Sequence, residues 1–168
     1  MKRVLVIGSG GSGKTTFATR LSRLTGLPLV HLDSHYWLPH WQKRSDAEWS
    51  AIVADLVAGE RWIMDGNYGG SLDLRLEACD TVFFLDFPRR TCISRVLKRQ
   101  LAHLGRSRPE LPAGCRERLD LEFLAWIWTY PRRRRPEIIA GLSALEGRKR
   151  IHVIRSDAET ETYFSSGP

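Results

Sequence analysis

The stretch from Val4 to Thr16, VLVIGSGGSGKTT, constrains the chain more than any other. An apolar run, which reads as a buried strand, passes at once into four glycines, a lysine and two threonines. Gly8, Gly13, Lys14 and Thr15 match G-x-x-x-x-G-K-[ST] in a strand–loop–helix context. Phosphate binding needs this arrangement. Glycines let successive N–H groups curl toward phosphate oxygens, and the following helix presents its positive end. The pattern implies a nucleoside-triphosphate phosphate loop, with Gly8, Ser9, Gly10, Gly11, Ser12, Gly13, Lys14, Thr15 and Thr16 around the donor. Lys14 is expected to reach the β- and γ-phosphates and the Thr15 hydroxyl to bind Mg²⁺. GTPases, motor ATPases and small-molecule kinases all use such a loop, so later segments must narrow the function.

Downstream, short apolar segments alternate with amphipathic ones. Strand candidates are 3–7, 28–32, 61–65, 81–86 and 150–154, several apolar at consecutive positions as parallel strands buried on both faces are. Helix candidates are 14–24, 46–58, 89–104, 118–128 and 136–145. Ser45 and Glu48 form a capping-box signal before the second helix. Pro136 suits a first helical position, which puts PRRRRP at a joint between two helices. The alternation implies an α/β fold, a parallel sheet with helices on both sides. His103 to Cys115, with two prolines and two glycines, is the candidate mobile loop or lid, and the tail after Ser156 is expected to fray.

With 168 residues, 42% apolar and 27% charged, the chain suits one globular domain. No apolar run is long enough to cross a bilayer, and the first is too short for a signal-peptide core, so a cytoplasmic protein is expected. Cys79, Cys92 and Cys115 share no metal-ligand spacing and suit a reducing compartment. The net charge of +7 is uneven: residues 89–135 hold 13 basic and 4 acidic residues, a net of +9, against −2 elsewhere. That region is expected to face a polyanion, either nucleotide phosphates or nucleic acid.

Asp33 ends the second strand candidate, on the edge where open α/β sheets bind ligands. It is expected to orient or deprotonate an acceptor hydroxyl or to hold Mg²⁺ through water; a turn cap is the structural alternative. Asp65 ends the third candidate and is expected on the metal side. Gly66 leaves room for a substrate, and Asn67 follows on the same acceptor side. A plain Asp-Gly turn is the alternative there. Tyr36 and Trp37, with Trp41, follow Asp33 and either stack on a base or sugar or pack the lid. Trp49 and Trp62 read as core, and His31, His35 and His40 form no zinc pattern. On the helix from Arg89, the core stripe is expected at Ile93, Leu97, Leu101 and Leu104. Arg95, Arg99 and the nearby Arg106 lie on another face, either clamping a transferring phosphoryl group or merely solvated. Arg132 to Arg135 are expected to supply further lid arginines, contact nucleic acid or stay solvated.

The ordered segments VIGSGGSGKTT, LPLVHLDSHYW, WIMDGNY, VFFLDFPRR, RVLKR and LEFLAWIWTYPRRRRP resemble those of the adenylate-kinase-like P-loop kinases, and more narrowly the bacterial DNA topology modulation protein family, across about 150 residues. The resemblance implies a three-layer fold with a five-stranded parallel sheet, a helical lid at about 104–130, and Mg·ATP as phosphoryl donor. It also implies that Arg95 and Arg99 act as phosphate-clamping arginines. LDSHYW is closer to the aspartate-plus-aromatic stretch of uridine-kinase-like enzymes, where the aspartate serves the acceptor hydroxyl. WIMDGNY lacks the arginine of adenylate kinases.

The resulting expectation is an ATP-dependent kinase of the nucleotide or nucleoside type acting on a small-molecule hydroxyl or phosphate acceptor. Lys14, Asp33, Arg95, Arg99 and Arg132 are its catalytic set. Asp33, Tyr36, Trp37, Asp65, Gly66 and Asn67 line the acceptor, and Thr15, Asp33 and Asp65 surround Mg²⁺. The rival is an ATP-dependent DNA-binding regulator without kinase turnover, and no membrane partner is expected.

Overall fold

A computed structural model describes residues 1–105, 111–112 and 114–167. The chain begins β1 (Arg3–Gly8), α1 (Lys14–Thr25), β2 (Leu29–His31) and α2 (Leu32–Tyr36). A two-stranded hairpin follows, β3 (Trp37–Leu38) and β4 (Gln42–Lys43), then α3 (Asp46–Ala58), β5 (Trp62–Asp65) and α4 (Leu72–Ala78). The second half comprises β6 (Thr81–Leu85), α5 (Arg89–Ala102), α6 (Leu121–Arg133), α7 (Arg135–Ser143), β7 (Arg150–Ile154) and α8 (Asp157–Ser165).

Five strands form a parallel sheet in the order β2-β5-β1-β6-β7, which sets β1 at its centre. Val4 to Ile7 are wholly buried, as a strand covered on both faces requires. Alternate side chains build two cores. Val4, Val6, Ile63, Phe83 and Leu85 pack beneath α1, α5, α6 and α8. Leu5, Ile7, Met64, Val82 and Phe84 pack beneath α3, α4 and α7. Burying each such aliphatic side chain contributes about 1.5–3 kcal/mol. The register sets His31 beside Asp65, Asp65 beside Val6, and Gly8 beside Leu85, so four strand ends share one ledge.

The capping box forms as expected: Ser45 Oγ accepts from the Glu48 N–H and the Glu48 carboxylate accepts from the Ser45 N–H. Other expectations are corrected. β2 stops at His31, so Asp33 lies in the first turn of α2 rather than on a strand. On α5 the buried stripe is Cys92, Val96 and Gln100, whereas Leu101 is 70% exposed, and Leu104, beyond the helix end at Ala102, is 61% exposed. The reason is contact: α5 approaches the phosphate loop through Cys92 and Val96, which rotates Leu101 outward. The expected helix 118–128 starts at Leu121 and continues through Pro131 to Arg133, so the joint falls at Arg134. The tail is helical rather than frayed. Ser156 caps α8, and Phe164 is buried 4.9 Å from Phe17.

Leu104 bridges to Glu117 across the stretch between α5 and α6, whereas α6 itself is anchored by buried Ile127 and Tyr130. Arg106 and part of the His103–Cys115 loop lie outside the described residues. Among the described residues no helix is long and apolar enough to cross a membrane. Cys79, Cys92 and Cys115 are buried and free.

Candidate active site

The phosphate loop connects β1 to α1, with Gly13 as N-cap at φ 93°, a left-handed conformation that favours glycine. Packing explains two other glycines. A Cβ on Gly10 would lie 2.5 Å from Phe123 Cζ on α6, and one on Gly11, at φ 77°, would overlap the Cys92 carbonyl of α5. At Gly13 the nearest atom to such a carbon is Arg95 Nη1 at 3.7 Å, so the cradle is open on that side. Lys14 Nζ donates to the Ser9 carbonyl at 2.9 Å. Burial lowers the Lys14 pKa against the opposing pull of Asp65 and Asp33, and Arg99 lowers it further, so all three side chains lie in its field. Ser12 Oγ is buried without a hydrogen-bond partner among the described residues. An open cradle, an orphaned hydroxyl and an ammonium that burial disfavours fit a bound polyphosphate.

Thr15 Oγ1 donates to Asp65 Oδ2 at 2.7 Å, and His31 Nδ1 lies 3.3 Å from the same oxygen. A hydroxyl and a carboxylate are hard oxygen donors that suit Mg²⁺, which completes its octahedron from phosphates and water. Among the described residues there is no cluster of three or more His, Cys, Asp or Glu that could hold a metal alone. Asn67 turns its amide onto the loop: the Gly8 N–H donates to Oδ1 at 2.9 Å, and Nδ2 donates to the Gly8 carbonyl at 2.5 Å. Gly66, at φ 147°, leaves no room for a side chain beside Leu32.

Asp33 is half-buried and accepts a 2.5 Å hydrogen bond at Oδ1 from the Tyr68 hydroxyl, so this oxygen serves a side chain and not a helix cap. Burial, then the adjacent Asp33 charge, raises the Tyr68 pKa well above the ordinary tyrosine range, which keeps this hydroxyl a donor. Tyr36 packs between Trp37, Trp49 and Tyr68, with ring centroids 4.5–5.1 Å apart. Trp49 and Trp62 are core residues, as expected. Trp41 donates Nε1–H to the Arg116 carbonyl at 2.9 Å, joining the β3–β4 hairpin to the chain after α5.

The arginines divide. Arg95, beside Gly13, donates through Nη2 to both Asp157 oxygens at 2.7 and 2.6 Å. Arg99 Nε lies 3.3 Å from buried Glu117. Arg132 is exposed at the end of α6, whereas Arg135 binds Asp86 with two 2.8 Å hydrogen bonds. Sequence reasoning assigned no role to His31, Tyr68 or Arg75, although all three border the site. Their signal was weak: His31 and Tyr68 flank Asp33 and Asn67, but Arg75 sits in LDLRLEA like any surface-helix arginine.

No protein-family model matches the chain, and no curated protein does. Solved structures do. The shikimate kinase of Acinetobacter baumannii in complex with shikimate aligns over 96% of this chain and 88% of its own, at 14% identity and a TM-score of 0.61. The shikimate kinase of Bacteroides thetaiotaomicron aligns over 96% and 92%, at 14% identity and a TM-score of 0.58. At such identity the likeness is one of architecture. The chain shares the α/β phosphate-loop fold of these kinases, with its five-stranded parallel sheet.

Proposed function

We propose that the chain is a Mg·ATP-dependent small-molecule kinase, of the adenylate-kinase-like type its motifs resemble, that transfers the γ-phosphoryl group to an acceptor hydroxyl. One observation carries this reading: the Asp33 carboxylate, bonded to the Tyr68 hydroxyl, follows the end of β2 by two residues, and its charge acts on the phosphate-loop Lys14. Lys14 and the N–H groups of residues 8–16 hold the donor phosphates. Thr15 and Asp65, with Asp33 through water, would hold Mg²⁺, which would neutralise charge developing on the phosphates. Asp33 takes the hydroxyl proton as the new O–P bond forms and the bond to the β–γ bridging oxygen breaks. Arg95 and Arg99 stabilise the charge on the transferring group from the side of α5, and Arg132 approaches from α6.

The lid is assigned to about 104–130, within which α6 is anchored by buried Ile127 and Tyr130. Trp41 donates to the Arg116 carbonyl within it, and the Leu38 carbonyl accepts from Cys115 Sγ, which joins the acceptor hairpin to the chain after α5. Tyr36 and Trp37 offer ring faces to a nucleoside-like acceptor. The DNA-binding alternative would draw on the same basic segment. Arg118, Arg134 and Arg135, which the kinase reading does not use, are each matched to a carboxylate, which favours the kinase.

The test is ADP release from Mg·ATP with a panel of nucleosides, nucleoside monophosphates and polyols. Stimulation by a hydroxyl compound is the expected result. Stimulation by monophosphates only, with phosphate as the acceptor, contradicts the role given to Asp33.

A further inference from the structure

Arg75 is wholly buried in α4, while its neighbour Leu74 is 41% exposed, the reverse of what hydropathy dictates. Among the described residues no carboxylate meets its guanidinium; its donors go to main-chain carbonyls. Nε donates to Ser71 at 3.2 Å, Nη1 to Gly66 at 2.9 Å, and Nη2 to Tyr68 at 2.8 Å and also to Asn67. A buried cation persists only where dipoles or charges replace water around it. Here the dipoles belong to one loop, residues 66–71, that leaves β5, and the guanidinium bonds four of its carbonyls. Tyr68 in this loop is left-handed, at φ 37°, a strained conformation for a tyrosine that surrounding contacts must enforce.

The two residues at the loop's centre point in different directions. Asn67 binds both backbone groups of Gly8, the first residue of the phosphate loop. Tyr68 binds Asp33. We infer that Arg75 is a positioning residue that holds Asn67 on the phosphate loop and Tyr68 on Asp33, fixing the donor and acceptor halves through one guanidinium. The inference rests on the kinase reading for its consequence, but not for its geometry. Lysine cannot replace it, because a single ammonium does not span carbonyls arrayed around a planar fork.

The experiment compares the full chain, Arg75→Lys, Asn67→Ala and the double variant by calorimetric titration with Mg·ATP. Losing the Asn67 clamp or its anchor weakens binding about tenfold. If Arg75 acts through Asn67, the double variant binds within about threefold of either single variant. Additive losses, near a hundredfold, or wild-type affinity in Arg75→Lys overturn the inference.

A second readout needs no nucleotide. The Gly8 N–H should exchange with solvent at least about tenfold faster in Arg75→Lys, while the Val82 and Phe84 amides keep their rates. Unchanged Gly8 exchange overturns the inference whether or not the chain binds nucleotide. Wild-type protein that binds no Mg·ATP, yet shows the Gly8 effect, overturns the kinase reading and supports this one. Should Arg75→Lys fail to fold, the wild-type guanidinium still decides. Separately resolved Nη signals that shift with Mg·ATP support the inference, and one averaged signal that does not shift overturns it.

Discussion

The proposed donor and acceptor halves of the site are built by different means. The donor half is contiguous, Gly8 to Thr16, and would work through main-chain groups, one lysine and one threonine. Its glycines owe their places partly to protein packing, against Phe123 of α6 and the Cys92 carbonyl of α5. The acceptor half gathers Asp33 from α2, Tyr68 from the loop after β5, and aromatic side chains from α2, the hairpin and α3. Its backbone is strained where the donor's is glycine: His40, Trp41 and Tyr68 all have positive φ. A contiguous main-chain cradle suits a donor shared by many enzymes, whereas dispersed side chains suit one particular acceptor.

If the halves are distinct, variants should separate them. Lys14→Met should reduce acceptor-dependent ADP release by about 10²–10³-fold, because a cation aimed at the transferring charge is lost. A rate within tenfold of wild type would break the donor assignment. Gly11→Ala tests the packing role: its Cβ overlaps the Cys92 carbonyl at a left-handed backbone position, so about 3 kcal/mol of stability should be lost. Gly10→Ala meets only side chains, Phe123 and Ile127, and should cost about 1–2 kcal/mol, part of it restored by Phe123→Leu. Urea unfolding measures both.

On the acceptor side, Tyr68→Phe removes one hydrogen bond to Asp33 and should lower kcat about tenfold while Mg·ATP affinity stays within twofold. A change in ATP affinity instead would erase the division between the halves. The smallest effect belongs to a control on the opposite edge of the sheet. Burial raises the Asp80 pKa, but hydrogen bonds from Thr81 and the N–H groups of Arg3 and Lys2 outweigh it and bring it down to about 2. A depressed carboxyl stabilises the fold above its unfolded pKa, near 3.8, and that contribution is lost as pH falls from there to about 2. Asp80 is partly exposed, so screening keeps the contribution under about 1 kcal/mol. Asp80→Asn should flatten stability between those pH values without altering ADP release.

The sequence made the donor half legible because a phosphate loop is a local pattern, and buried parallel strands announce themselves by consecutive apolar residues. The second helix was legible from Ser45 and Glu48 for the same reason. What escaped was set by distant contacts. Nothing near Arg75 signals that four carbonyls await it, and the stripe on α5 turned because the phosphate loop, far upstream, presses on Cys92 and Val96. The tail folds because Phe164 finds Phe17, more than a hundred residues away. Asp33 was expected one element too early, since only the register of β2 on β5 ends that strand at His31.

The most direct measurement is Asp33→Asn in an acceptor-stimulated ADP-release assay, with Mg·ATP affinity followed in parallel. The account predicts that kcat falls by about 10²–10⁴-fold while nucleotide affinity stays within about twofold. Phosphoryl transfer at the wild-type rate in Asp33→Asn would contradict it.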